Sequence, residues 1–476
     1  MRPPLPPRHP PIGPLSTLGW ASAALAFFHA GYLVPGGWFM LGFPFAVLAL
    51  VKLPSTRASF YVGLAVGFGL YAPHLGFFWT LFGPAAVVLW LVLAFWIAAF
   101  LAAGHALQNR LPSRAMIVAL PVLWMGFEYF RCELYFLRFS WLSPVMAFSS
   151  PPSSPSLEPL LGFLGTFGTG GMLMLAAALA RWAPGRFRWS GPALLAALVA
   201  IGTLAPPRPS TAQGATQTVP FAGAQIESTA ESEIIPVLDR LVKQHPQARL
   251  IVLPEYSLGA EPDVALREWC RTSSRHLIVG GREPIEGGGF YNTTFVVDTH
   301  GVIVFRQAKS VPIQFFDDGR PALSQALWHS PWGRIGIAIC YDLSYTRVID
   351  QLVRGGAEAL IIPTMDAVSW GPYQHALHAR VAPLRAAEYG VPIARVASSG
   401  ISQSVNAAGR VISSAPFSEE VEFLSGTLEI HGAGTLPIDR WLAPLAAFVS
   451  GLLVILAALP HSFVSRLTAS TAPSLS

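Results

Sequence analysis

Three residues of this chain stand where apolar runs give way to polar segments, and their side chains could cooperate on a carbonyl group: Glu255 at the end of LIVLPE, Lys309 at the end of VIVFRQAK and Cys340 at the end of IGIAIC. A thiol becomes a good nucleophile once deprotonated, and a carboxylate with raised proton affinity can take that proton. Attack on an ester or amide puts negative charge on the carbonyl oxygen, which a fixed ammonium and main-chain N–H groups stabilise best in a cleft that excludes water. Glu255 is therefore the candidate general base, Lys309 the candidate oxyanion stabiliser and Cys340 the candidate nucleophile. Taken singly, each has a plainer reading: a small buried hydrophobe for Cys340, a helix cap for Glu255, a solvated strand end for Lys309.

The surrounding pattern supplies elements that could bring the three together. From residue 218 short apolar runs alternate with amphipathic segments, which predicts strands at 219–226, 249–253, 276–280, 293–297, 302–306, 335–339, 359–362, 392–397 and 401–405. Helices are expected at 231–244, 264–275, 345–354 and 374–389, and the turn Asp298-Thr-His-Gly301 reads as a hairpin. Such alternation predicts a layered α/β domain whose active groups gather beyond the carboxyl ends of strands.

The rest of the chain is of another kind. Of 476 residues 52% are hydrophobic and 12% charged, and among the 26 acidic residues only Glu128, Glu133 and Glu158 precede position 210. A segment so poor in charge cannot present an ordinary soluble surface. Apolar stretches at 16–34, 36–53, 59–80, 84–108, 114–131, 160–181, 190–206 and 440–460 predict seven spans, a polar block and one more span. The expected divisions are a Pro-rich cytoplasmic tail at 1–15, the membrane domain at 16–206, the α/β domain at 207–435, a last span at 440–460 and a tail at 461–476.

With the amino terminus inside, Arg2, Arg8, Lys52, Arg57, Arg110, Arg114, Arg181, Arg186 and Arg188 are cytoplasmic, while Arg131, Arg138 and Arg208 are outside. That asymmetry places the α/β domain outside the cytoplasm. The net charge of +5 is spread over loops, without the basic stripe expected of a nucleic-acid binder. Cys132, Cys270 and Cys340 are too few for a disulfide framework and too scattered for zinc, and His375 and His378 lack metal-helix spacing, so no metal is expected.

Several residues near the expected membrane surface carry two readings each. Glu128 and Arg131 are three apart, suited to an ion pair or to a lipid headgroup. Phe136, Phe139 and Trp141, followed by the Ser/Pro-rich stretch 149–156, read as an interfacial belt or a lipid contact. Trp370, Tyr373, Phe315 and Phe316 read either as core or as apolar arms dipping into the bilayer.

The order Glu, Lys, Cys with the flanks LPEYS, RQAKSVP and IAICYDLSY resembles the nitrilase superfamily. Added to the spans, and to PVLWMGFEYFR, SWL, YQH and RAAEYGVPIARVASSGIS, it resembles the apolipoprotein N-acyltransferases. The resemblance implies a polytopic α-helical membrane domain carrying an extracytoplasmic αββα sandwich in a bacterial inner membrane. It implies an acyltransferase that takes an acyl chain from a phospholipid onto Cys340 as a thioester and passes it to the diacylglyceryl-cysteine of a lipoprotein, without a cofactor. Tyr341 and Asp342 would frame the nucleophile, and Trp370, Tyr373, Glu128, Arg131 and Trp141 are the further substrate-binding candidates.

Two departures stand out. Where the family has VPFGE, whose glutamate is a second acid of the site, this chain has VPIQFFDD, with Gln314 near that position and Asp317 and Asp318 later; the NDAWF-like stretch appears as Met365 to Trp370 at altered spacing. A membrane-anchored amidase, in which water resolves the thioester, and a catalytically inactive scaffold remain alternatives.

Overall fold

The computed structural model describes residues 11–149, 157–205, 217–227 and 229–459. The Pro-rich start up to Pro10, most of the Ser/Pro stretch, Arg208 and the tail from 460 lie outside them.

Among the described residues the α/β domain has twelve strands: β1 Gln217–Gln225, β2 Leu250–Val252, β3 His276–Pro284, β4 Phe290–Val297, β5 Ile303–Ala308, β6 Leu327–Ser330, β7 Gly333–Ile337, β8 Ala359–Thr364, β9 Ile393–Ala397, β10 Ser402–Val405, β11 Val411–Ala415 and β12 Glu422–Ile430. They form two six-stranded sheets, in the orders β12-β1-β2-β3-β4-β5 and β11-β10-β9-β8-β7-β6. Side chains alternate along each strand, so one face of each sheet meets the other. Phe221, Val252 and Ile278 of the first sheet share a core with Ile337, Ile361 and Val396 of the second. Each such side chain contributes roughly 1.5–3 kcal/mol by leaving water.

The opposite faces are covered by helices. Glu231–Gln244 and Val264–Ser273 pack on the first sheet through Leu238, Leu241 and Cys270, and Thr346–Arg354 and Val381–Tyr389 pack on the second through Ile349, Leu352 and Leu384. The domain is an αββα sandwich. The helix expected at 374–389 is broken at Arg380 into Pro372–Ala379 and Val381–Tyr389. The sequence reading missed β6, β11 and β12; β11 and β12 pair at the sheet edges with half-exposed residues, so neither shows a continuous apolar run.

Among the described residues five helices are long and apolar enough to cross a membrane: Ala85–Gln108, Ser113–Leu134, Pro159–Trp182, Gly185–Leu204 and Asp439–Ala458. The first expected span is the helix Pro14–Leu33, and the second is shorter, the apolar stretch Trp38–Lys52. The third is interrupted: a helix Thr56–Tyr71 ends just ahead of Pro73, which has no N–H to carry the ladder on, and Phe77–Phe82 forms a separate short helix. Thr56–Tyr71 packs closely on Ala85–Gln108 because Gly63 and Gly67 face Ala98 and Ala94; a Cβ at either glycine would lie 2.7 Å from the facing Cα.

One membrane helix is tied directly to the sandwich. The helix Glu158–Trp182 is kinked at Gly165, whose φ is +76°, and the kink frees the N–H groups that follow it. Glu388 of the sandwich accepts from Thr166 N–H at 2.9 Å, and Asp439 at the head of the last helix accepts from Phe167 N–H at 2.9 Å. Arg440 then bonds Glu388 at 3.1 Å and Asp350 at 2.7 Å, while Arg385 pairs with Glu388. These charges are buried but mutually neutralised and hydrogen-bonded, the condition under which burial is tolerated.

Gly165→Ala should therefore lower the thermal unfolding temperature of the detergent-solubilised protein by an amount matching about 1–3 kcal/mol. Its Cβ would meet the Asp439 carboxylate at 2.1 Å in a backbone conformation that alanine resists. Gly168→Ala, whose Cβ would make ordinary 3.4 Å contacts, should be nearly neutral; equal effects at the two positions would refute the account of the kink.

Candidate active site

Both sheets end at the same place. Glu255 lies three residues beyond β2, Lys309 directly follows β5, and Cys340 lies three residues beyond β7 of the opposite sheet. Lys309 is tied to β4 by its own N–H, which donates to the Asn292 carbonyl at 2.8 Å. Its side chain points into the protein and is about 1% exposed.

The Lys309 ammonium sits between two carboxylates, 2.8 Å from Glu255 Oε1 and 2.7 Å from Asp318 Oδ2. Asn292 Nδ2 joins the same two acids, donating to Glu255 at 2.6 Å and to Asp318 at 2.9 Å. Tyr256 O–H and Ile313 N–H each donate to Asp318 at 2.7 Å. An acid thus stands beside Lys309 despite the altered segment, at Asp318 and not at Gln314. Gln314 reaches away, donating to the Phe136 carbonyl of the membrane domain at 2.6 Å.

One ammonium between two buried carboxylates leaves an excess of negative charge. Burial raises the Glu255 pKa, lowered in turn by Lys309 and raised again by Asp318, with a net rise. Burial also acts to raise Asp318, but Lys309 and three hydrogen-bond donors hold it below the usual carboxylate range. Burial alone would lower Lys309, and the neighbouring acids more than reverse that. Asp318 and Lys309 are therefore the standing ion pair, and Glu255 is the acid poised to exchange a proton.

Cys340 is buried, and burial with the nearby Glu255 charge pushes its thiol well up, so it rests protonated. Its φ of +50° is unusual for a residue with a side chain and marks a sharp turn out of β7 into the 3-10 turn Cys340–Ser344. Asp342 holds that turn, accepting from Ile339 N–H at 3.2 Å, and also accepts from Val311 N–H at 2.7 Å and Ser310 N–H at 3.1 Å. Asp342 is thus a clamp between the turn and the loop after Lys309. Met365 links acid and thiol: its N–H donates to Glu255 Oε2 at 2.7 Å and its carbonyl accepts from Cys340 Sγ at 3.5 Å.

A cavity of about 850 Å³, counted to its open mouth, has Cys340 and Tyr341 in its wall and extends along Phe78, Leu89 and Leu93 of the membrane domain. Trp141 and Trp370 also line it, and Phe315 and Phe316 stand at its rim with their rings 5.9 Å from that of Phe82. Trp141 is buried, not a belt residue: its Nε1–H donates to Ser344 Oγ at 3.0 Å. Tyr373 is turned elsewhere, its hydroxyl on His74 Nδ1, which continues to His29 at 2.9 Å. Glu128 and Arg131 lie in the wall of a separate, smaller cavity among membrane helices. They form no ion pair with each other, and Arg131 donates to the Phe139 carbonyl at 2.7 Å.

His375 and His378 are buried, with His378 Nδ1 2.7 Å from Asp366 Oδ1. No cluster of metal-ligating side chains occurs among the described residues. All three cysteines are free and buried. Sequence reasoning passed over Asn292, which reads as one more residue of an alternating strand, and named Asp318 without a role.

Two family models match the chain, the apolipoprotein N-acyltransferase N-terminal domain over residues 21–179 and carbon-nitrogen hydrolase over residues 199–425. The chain is 26% identical to the apolipoprotein N-acyltransferase of Shewanella oneidensis, over 82% of this chain and 84% of that one. It is 27% identical to that of Rhizobium rhizogenes, over 80% and 81%. A solved carbon-nitrogen hydrolase from Helicobacter pylori, 18% identical, covers 53% of this chain and 98% of its own with a TM-score of 0.39. The apolar helices and these relatives fit a bacterial inner-membrane protein. With both domains matched in one chain and relatives aligned along most of it, the chain belongs to the apolipoprotein N-acyltransferase family of the carbon-nitrogen hydrolase superfamily.

Proposed function

We propose that this protein N-acylates the amino-terminal diacylglyceryl-cysteine of lipoproteins, taking the acyl chain from a phospholipid through a thioester on Cys340, with the sandwich outside the cytoplasm. The observation that carries the reading is the cavity that joins Cys340 to aromatic and aliphatic side chains of the membrane helices. An enzyme acting on a water-soluble amide has no use for such a wall, whereas an acyl chain leaving the bilayer is stabilised by it at each methylene. The positive-inside pattern of the flanking loops supports the orientation, and the names of the relatives support an acyltransferase.

In the first half-reaction Glu255 takes the Cys340 proton as the sulfur attacks the ester carbonyl. Lys309 lies beside the developing oxyanion, and its charge, held by Asp318, is fixed before the reaction starts. The tetrahedral intermediate collapses with loss of a lysophospholipid alkoxide, which receives the proton from Glu255. In the second half-reaction the acceptor amine attacks the thioester, the C–S bond breaks, and the amine's proton returns through Glu255 to the sulfur. Ping-pong kinetics follow.

Incubation of the purified protein with labelled phospholipid should give an acyl adduct that Cys340→Ala abolishes. Absence of the adduct in the wild type, or its persistence in the variant, would sink the nucleophile assignment. Glu255→Gln and Lys309→Ala should each slow adduct formation by about 10²-fold or more.

The rate should fall on acidification through a pKa above the ordinary glutamate value of 4.5, because Glu255 must be ionised to act and its pKa is raised. Asp318 contributes to that rise, so Asp318→Asn should move the acid limb to lower pH while also reducing the plateau rate. A limb that stays in place in Asp318→Asn would show that Glu255 and Asp318 are not coupled as described.

A further inference from the structure

Behind the cavity lies a buried polar group that the proposed chemistry leaves unused. Asp366, directly after Met365, accepts from His378 Nδ1 at 2.7 Å and from the Arg395 guanidinium, all three side chains being essentially enclosed. A 2.7 Å contact with a carboxylate puts the ring proton on Nδ1, so the Nε2 lone pair is free. His378 is 2% exposed and Nε2 has no partner among the described residues.

The ring is held in place. Trp141 packs on it with centroids 4.9 Å apart, and Asp366, itself paired with Arg395, fixes Nδ1. His378 is among the residues that line the cavity holding Cys340, and Nε2 is its ring nitrogen turned away from Asp366. The link to the thiol is short: Met365 receives the Cys340 thiol on its carbonyl, and the next residue fixes His378. A buried acceptor without a donor costs free energy unless a ligand completes it.

Burial keeps this imidazole neutral in spite of Asp366, with Arg395 acting in the same direction. It is therefore built to accept a hydrogen bond. Of the two substrates, the acyl ester presents only acceptor oxygens at its reacting carbon, whereas the incoming primary amine brings N–H groups.

We infer that His378 orients the acceptor amine in the second half-reaction, Nε2 accepting one amine N–H so that the nitrogen lone pair faces the thioester carbon. The nitrogen–carbon bond forms, the carbon–sulfur bond breaks, and the amine's other proton travels through Glu255 to the Cys340 sulfur; His378 neither gains nor loses a proton. The inference rests on the acyltransferase reading and adds to it the group that orients the amine for attack.

Full-length His378→Leu and His378→Gln, in detergent with labelled phospholipid and a diacylglyceryl-cysteine peptide, separate the two steps. The ratio of transfer rate to adduct-formation rate should fall about tenfold or more in His378→Leu, with a larger share of the thioester lost to water. In His378→Gln, which can offer an amide oxygen near the Nε2 position, part of that ratio should return. Equal slowing of both steps in both variants, or an unchanged ratio, overturns the role of His378. No adduct in the wild type overturns the underlying reading instead.

Discussion

A single buried ammonium organises this site. Lys309 is removed from water, and an unpaired cation there would be prohibitively costly, so the fold must bring carboxylates to it. Glu255 arrives from beyond β2, with β3 and β4 between it and β5 in the same sheet, and Asp318 from the loop that follows Lys309 itself. That second requirement shapes the loop. It leaves Lys309, is held by Asp342 at Ser310 and Val311, and returns so that Asp318 can close on the ammonium. Its excursion between those two ties carries Phe315 and Phe316 out to Phe82. The electrostatics of the site and the mouth of the apolar cavity are thus one construction.

The cavity wall depends in turn on close helix packing in the membrane domain. Apolar side chains gain nothing from avoiding water inside a bilayer, so small residues that let backbones approach are what bind Thr56–Tyr71 to Ala85–Gln108. The second of these helices supplies Leu89 and Leu93 to the cavity. Gly63 and Gly67 therefore bear on the site at a distance, by fixing where the wall of the cavity beside Cys340 stands.

The sandwich was largely legible because strands reveal themselves by period and by their sharp ends, and Glu255, Lys309 and Cys340 all sit just past such ends. Asp318 was not legible as a partner of Lys309, since it is brought there by a returning loop and no periodicity encodes loop return. Asn292 carries no mark in an alternating strand, yet its amide joins both acids. Tyr373 read as a substrate contact because an aromatic side chain suits a membrane interface, but the helix that starts after Gly371 brings its hydroxyl to His74. Hydropathy found the apolar segments; it did not register how Pro73 divides one of them, because averaging over a window hides a single break.

The kink at Gly165 bears on how such a chain can be assembled. Three main-chain donors in an otherwise apolar helix find acceptors on Glu388 and Asp439, more than two hundred residues further along. A ribosome will have released the helix long before either acid exists. Until then those donors must be met by water or lipid headgroups, so this end of the helix stays near the bilayer surface. The sandwich, once folded, and the last span, once inserted, complete a membrane segment made far earlier. The helix Asp439–Ala458 thus acts as a latch, closing on a segment made more than two hundred residues before it.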